Sequence, residues 1–167
     1  VLEDLRVPID AIAGTSMGAL VGGAYASGMS VAQMRQRIGS IRTADIVNDE
    51  PPRSEWIEWR KRDESANFLG PEFGVRKDGL NLPKGAVSGI GLDALLRGFV
   101  QSRNVVHFDS LPIPFRAVAT DIETGHMQVL ESGNLASALR ASISIPGLFA
   151  PAKIGDRLLI DGGLTRN

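Results

Sequence analysis

The stretch "IDAIAGTSMGALVGGAYASG", residues 9 to 28, constrains the fold of this chain more than any other. The short β-branched and alanine run from Ile9 to Ala13, bounded by Pro8 and Gly14, suits a buried strand. Residues 17 to 27 read as a helix of small residues closed by Gly28. Gly22 and Gly23 each lower the stability of a helix interior by about 1 kcal/mol relative to alanine, so something is expected to pack very close to that helix. The turn between strand and helix, Gly14-Thr15-Ser16-Met17-Gly18, has two explanations. One is a glycine-rich place of close packing. The other is a nucleophile elbow, where the chain reverses too sharply for side chains at Gly14 and Gly18 and the serine hydroxyl stands exposed at a helix N-terminus. In that case the backbone N–H of Met17 and the partial positive charge of the helix end favour an oxyanion beside Ser16.

The rest of the chain continues the alternation. "VLEDLRVP" at the start reads as the last turn of a helix lacking its beginning, as in a segment cut from a longer protein. Ser30 caps an amphipathic helix with Val31, Met34 and Ile38 at helical spacing. Residues 42 to 88, rich in charge, proline and glycine, are expected to form an excursion or lid rather than a second domain. A helix over 89 to 102 aligns Leu92, Leu95, Leu96 and Phe99 on one side. "FRAVATDIETGHMQVLESG" reads as a hairpin turning at Glu123 to Gly125, residues 135 to 143 as a helix stopped by Pro146, and "KIGDRLLIDGG" as a second hairpin turning at Gly155-Asp156. The pattern favours one α/β domain, residues 1 to 167, on a partly parallel sheet. Residues 11 to 34 carry no charge, but glycines, serines, Thr15 and Gln33 dilute the run, which argues against a membrane span.

Composition removes several chemistries. With 18 basic against 19 acidic residues, the chain has no field of one sign to hold nucleic acid. With no cysteine it has neither thiolate metal sites nor a cysteine nucleophile. No acidic loop has the ligand spacing of a calcium site, so neither metal nor cofactor is expected. A nucleophilic serine needs a base, and the order Ser16, Asp109 or Asp121, His126 would permit a triad. His126, however, follows a hairpin turn, where exposed strand residues are common, and His107 reads as a loop or packing residue. Asp161 is the other base. It follows an apolar strand and precedes Gly162 and Gly163, an arrangement that either aims a carboxylate into a cleft or forms a simple Asp-Gly turn. Trp56 and Trp59, beside Arg60, Lys61 and Arg62, suit either a lipid-facing lid or an amphipathic surface helix. Ser142 and Ser144 fit a helix-ending turn, and Arg140 is read as structural.

Three segments, "AGTSMGALVGGAYASG" (13 to 28), "LRASISIPGLFAP" (139 to 151) and "LIDGG" (159 to 163), together resemble the patatin-like phospholipases. "LPIPFRAVATDIETG" (111 to 125) is similar to bacterial members, including those that carry the hydrolase ahead of an outer-membrane secretion barrel. The resemblance implies a Ser16–Asp161 dyad with no histidine, elbow glycines Gly14 and Gly18, an oxyanion donor at Met17 N–H, and Gly162 and Gly163 as the glycines of the dyad motif. It implies a three-layer α/β sandwich with a mainly parallel sheet flanked by helices. The activity implied is phospholipase A-type hydrolysis of a phospholipid or other acyl-ester lipid through an acyl-enzyme, and on the lid reading of their own stretch Trp56 and Trp59 would meet the lipid surface. A chain fused to a barrel would be secreted or at the cell surface; otherwise it would be cytoplasmic or peripheral to a membrane. The family's first strand and its glycine-rich oxyanion loop with an arginine lie upstream of the helix ending in "VLEDL", so these 167 residues alone are expected to be impaired and truncated at both ends.

Overall fold

A computed structural model of the chain describes residues 2–41, 74–76, 79–81, 89–100 and 106–165. Residues 2–7 close as a helix end does. Arg6 adopts a positive φ of 53°, its N–H bonds to Glu3 O, and Val7 N–H bonds to Leu2 O. Strand β1, Ile12–Thr15, runs into Ser16 and then helix α1, Met17–Ala26. The strand lies two to three residues later than the composition suggests and is half-buried rather than buried. Helix α1 ends with the same motif, completed by Gly28 at φ 100° and by the buried Met29, whose N–H reaches Ala24 O. Helix α2, Val31–Ser40, opens with a complete Ser30–Gln33 capping box. The uncharged run therefore holds strand β1, helix α1 and the start of α2, with a break at Gly28, and no described helix is long and apolar enough to cross a membrane.

Between residues 42 and 88 the described residues form a short antiparallel pair, β2 (Gly74–Arg76) and β3 (Gly79–Asn81), which does not pair with the main sheet. Trp56, Trp59 and the basic residues beside them lie outside the described residues. Helix α3, Ile90–Phe99, buries Leu92, Leu96 and Phe99 on one face. Strand β4, Phe115–Asp121, turns at Gly125 into β5, Met127–Leu130, the turn being pinned by Asp121 Oδ1, which accepts from Glu123 N–H and Thr124 N–H. Helix α4, Leu135–Ser142, is capped by the Asn134 side chain. Strands β6, Ala152–Ile154, and β7, Arg157–Asp161, form the second hairpin, with Gly155 supplying the positive φ of 60°.

The five-stranded sheet is mixed, which corrects the expectation of a mainly parallel one. Among the described strands only β1 and β4 pair in parallel; β4 with β5, β4 with β7 and β6 with β7 are antiparallel. Two of the antiparallel pairs follow from connection length, since hairpin turns of a few residues force β4–β5 and β6–β7 antiparallel, whereas the parallel pair of β1 and β4 is joined by the long crossover through α1, α2 and α3.

Register fixes where strands end. Ala117 to Thr120 of β4 face β5, while Phe115 to Val118 face β1 and Ala119 to Asp121 face β7. Since β5 overlaps both ranges, β1 and β7 share the other edge of β4. They meet end to end there, Thr15 opposite Val118 and Asp161 opposite Ala119. Below this junction Phe115, Ala117 and Ala119, all fully buried, face α1 and α4. The glycines of α1 make that contact possible. A Cβ at Gly22 would lie 2.7 Å from Ile12 Cγ2, and one at Gly23 would lie 2.8 Å from Leu139 Cδ2 and 3.2 Å from the Phe115 ring.

Candidate active site

The end-to-end meeting of β1 and β7 brings Ser16 and Asp161, which are 145 positions apart, into direct contact. Ser16 Oγ donates a hydrogen bond of 2.6 Å to Asp161 Oδ2. Ser16 sits at φ 52°, ψ −123°, outside the regions ordinary residues occupy, which destabilises the fold by roughly 1–3 kcal/mol. Gly14 is required by the same turn, because a Cβ there would lie 2.6 Å from Gly18 O and 2.7 Å from Ala19 N. Gly18 differs from expectation, since a Cβ at that position meets nothing within 4 Å and the turn does not demand its absence. Gly18 and Met17 are exposed at the first turn of α1, where Met17 N–H has no carbonyl of its own helix to reach.

Asp161 is buried at 7% exposure and held on every side. Its Oδ1 accepts from Gly163 N–H at 2.7 Å, its own N–H donates to Ser144 O at 2.9 Å, and its carbonyl accepts from the Thr120 hydroxyl at 3.0 Å. These contacts leave Oδ2 to the serine. Gly162 is needed for a different reason: a Cβ there would fall onto the carbonyl oxygen of Val118 and come within 3.1 Å of Thr15 Cγ2. Of the two glycines after Asp161, one admits β4 and the other supplies a donor.

Neither histidine joins this arrangement. His126 is exposed beyond the β4–β5 turn, and His107 is exposed in a bridge with Ser132. The acids a triad would need are engaged elsewhere. Asp121 holds its own turn, and Asp109 takes a two-pronged bond from Arg116 at 2.7 and 3.0 Å. That guanidinium holds the Asp109 carboxyl below its ordinary value.

An apolar cavity of about 450 Å³ opens beside Ser16. Leu20 of α1, Met34 of α2, Leu92, Leu95 and Phe99 of α3, and Ile143 line it, while Met17, Val21, Ile38 and Ile145 stand exposed around it. Its existence was not legible beforehand, because the lining comes from four separate parts of the chain. The apolar faces of α2 and α3 were visible as periodicity, but not that they converge on Ser16. Arg140 is structural, as expected: its side chain is nearly buried, pairs with Asp93 of α3 at 3.2 Å, donates to Ala150 O at 3.0 Å and lies over the Phe149 ring.

A mixed α/β sheet that ends two strands against each other, with a serine on a strand-to-helix elbow, defines the structural class. Comparison with known proteins makes it specific. The family model for patatin-like phospholipase matches residues 1–167, and the chain belongs to that family. It is 32% identical over 167 residues to an uncharacterized NTE family protein of Mycobacterium tuberculosis, covering 99% of this chain and 23% of the relative. It is 31% identical over 166 residues to another NTE family protein, from Mycobacterium bovis, covering 98% of this chain and 37% of that one. The chain thus spans about a quarter to a third of these relatives. Lysophospholipase NTE1 of Mycosarcoma maydis is 27% identical over 166 residues, covering 99% of this chain and 7% of the fungal protein. Among solved structures, VipD from Legionella pneumophila aligns over 97% of this chain and 42% of its own, at 15% identity and a TM-score of 0.46.

Proposed function

We propose that this domain is a serine-dependent lipid acyl hydrolase of the phospholipase A type that works through a Ser16–Asp161 dyad. The observation that carries the proposal is the 2.6 Å bond from Ser16 Oγ to Asp161 Oδ2 at the mouth of an apolar cavity. Membership of the patatin-like phospholipases supports lipid as the substrate class, and the name of the fungal relative, a lysophospholipase, points the same way.

In the proposed reaction Ser16 Oγ attacks the ester carbonyl carbon while its proton passes to Asp161 Oδ2. The Met17 N–H, at the positive end of α1, faces the oxyanion that forms. Collapse of the tetrahedral intermediate breaks the bond to the alcohol oxygen, which leaves with the proton held by Asp161. The acyl group remains on Ser16, its chain in the cavity between α1, α2 and α3. Water then attacks the acyl carbon, giving one proton to Asp161, and the fatty acid departs as Ser16 Oγ recovers that proton. Trp56 and Trp59 remain proposed contacts with the lipid surface.

Labelling with a fluorophosphonate tests the assignment. Ser16→Ala should abolish labelling, Asp161→Asn should slow it by at least a hundredfold, and His126→Ala should leave it within about twofold. Labelling that survives Ser16→Ala sinks the proposal, and loss of labelling in His126→Ala would favour a triad.

A further inference from the structure

We infer that Ser142 is a positioning residue for the reaction, holding the main chain of Ser16 in its strained elbow. The inference rests on the proposal that Ser16 is the nucleophile. Its physical basis is an accounting of donors and acceptors around one buried hydroxyl. Ser16 N–H points away from its own helix, and Ser142 Oγ accepts it at 3.0 Å. A serine hydroxyl has one proton, and Ser142 gives it to Val118 O at 2.6 Å, so only a lone pair can face Ser16. Ser142 is fully buried, which removes water as a substitute for either bond. The carbonyl on the other side of the strained residue is also held, since Ser16 O accepts from Leu20 N–H at 3.1 Å. With both peptide groups pinned, φ 52° cannot relax, and Oγ stays aimed along β4 at Asp161.

The same turn reaches the other half of the dyad. Ser144 O accepts the Asp161 N–H, and the Ser144 hydroxyl is bound to Arg140, through both its backbone carbonyl and its guanidinium. Residues 142 to 144 therefore touch the main chain of Ser16 and of Asp161 across the end-to-end junction of β1 and β7. Ser142 contributes through its side chain, and its loss frees the elbow without removing any group that touches substrate.

The test compares Ser142→Ala with Ser27→Ala, which removes another buried hydroxyl, one that bonds to Ala24 O away from the dyad. Ser142→Cys fills the same space with a poor hydrogen-bonding group, so it deletes the bonds without leaving a cavity. In the full chain, kcat and KM on p-nitrophenyl butyrate, the fluorophosphonate labelling rate and the thermal unfolding midpoint are measured for each. Both Ser142 variants should stay folded, with kcat and labelling lowered together by about tenfold to a hundredfold and KM within twofold. Ser27→Ala should lower only the unfolding midpoint. The inference is overturned if Ser142 variants keep full kcat, if only KM changes, or if neither variant folds, which would make the hydroxyl a requirement of the fold alone. Labelling in a Ser16→Ala control would instead remove the nucleophile assignment beneath it.

Discussion

At the scale of single residues, the glycines around the site answer to different constraints and should respond differently to one added methyl. At Gly162 the methyl would occupy the position of Val118 O, which belongs to rigid strand backbone. Gly162→Ala is expected to lower stability by about 2–3 kcal/mol in urea unfolding and to separate Asp161 from Ser16. At Gly18 the methyl meets nothing and removes a glycine from the first turn of a helix. Gly18→Ala should therefore hold stability or raise it by up to about 1 kcal/mol. Asp109 gives a pH signature. Its hydrogen bonds from Arg116 depress its folded pKa, so its contribution is present above the unfolded carboxylate value of about 3.9 and disappears as pH falls through the folded value. Between pH 6 and pH 3 the urea midpoint of the parent should fall further than that of Asp109→Asn. Equal losses would show that the pair contributes nothing.

At the scale of elements, α1 is specified by what it lies against rather than by its own propensity. Its two interior glycines weaken the isolated helix, yet Ile12, Phe115 and Leu139 occupy the space a methyl would need. Alanine at Gly22 gains about 1 kcal/mol of helix propensity and incurs roughly 1–3 kcal/mol of overpacking, so Gly22→Ala should lower the thermal midpoint despite the better helix former. A raised midpoint would mean that Ile12 moves aside freely. This was the part of the fold most legible in sequence, because Gly22 and Gly23 state a steric demand whatever the partner. Caps were legible for the same local reason: Ser30, Gly28 and the turn at Gly125 depend on their own neighbours. Sheet direction was not. "FRAVATD" reads the same beside a parallel or an antiparallel strand, and only the short turns after β4 and β6 carry the information that the sheet is mixed. The short pair formed by β2 and β3 was hidden for another reason, being three residues a side within a segment rich in charge and glycine.

At the scale of the whole molecule, the site is a junction, and its parts were legible to unequal degrees. Ser16 and Asp161 each stand in a compact local pattern, and the family likeness pairs them, but nothing in the chain states that β1 and β7 meet along one edge of β4, which the strand register shows. Ser142 looked like a turn residue because its two partners, Ser16 N–H and Val118 O, are backbone groups that no side-chain pattern reveals. The cavity is the most distributed feature, since Leu20, Met34, Leu95 and Ile143 belong to different elements. A cavity built this way should set how long an acyl chain is accepted. Leu95 is the position to alter, because it is half-buried, lines the cavity and lies on α3, away from the Ser16 elbow. Leu95→Trp adds bulk into the space without touching the dyad. On p-nitrophenyl esters the ratio of kcat/KM for a twelve-carbon chain (C12) to that for a four-carbon chain (C4) should fall by about tenfold, within the range that hydrophobic pockets impose for a few methylenes. Fluorophosphonate labelling by a short-chain probe should be unchanged, which separates a shortened pocket from a damaged dyad. If long and short esters fall together, the cavity is not the acyl site and the chain must leave Ser16 by another route.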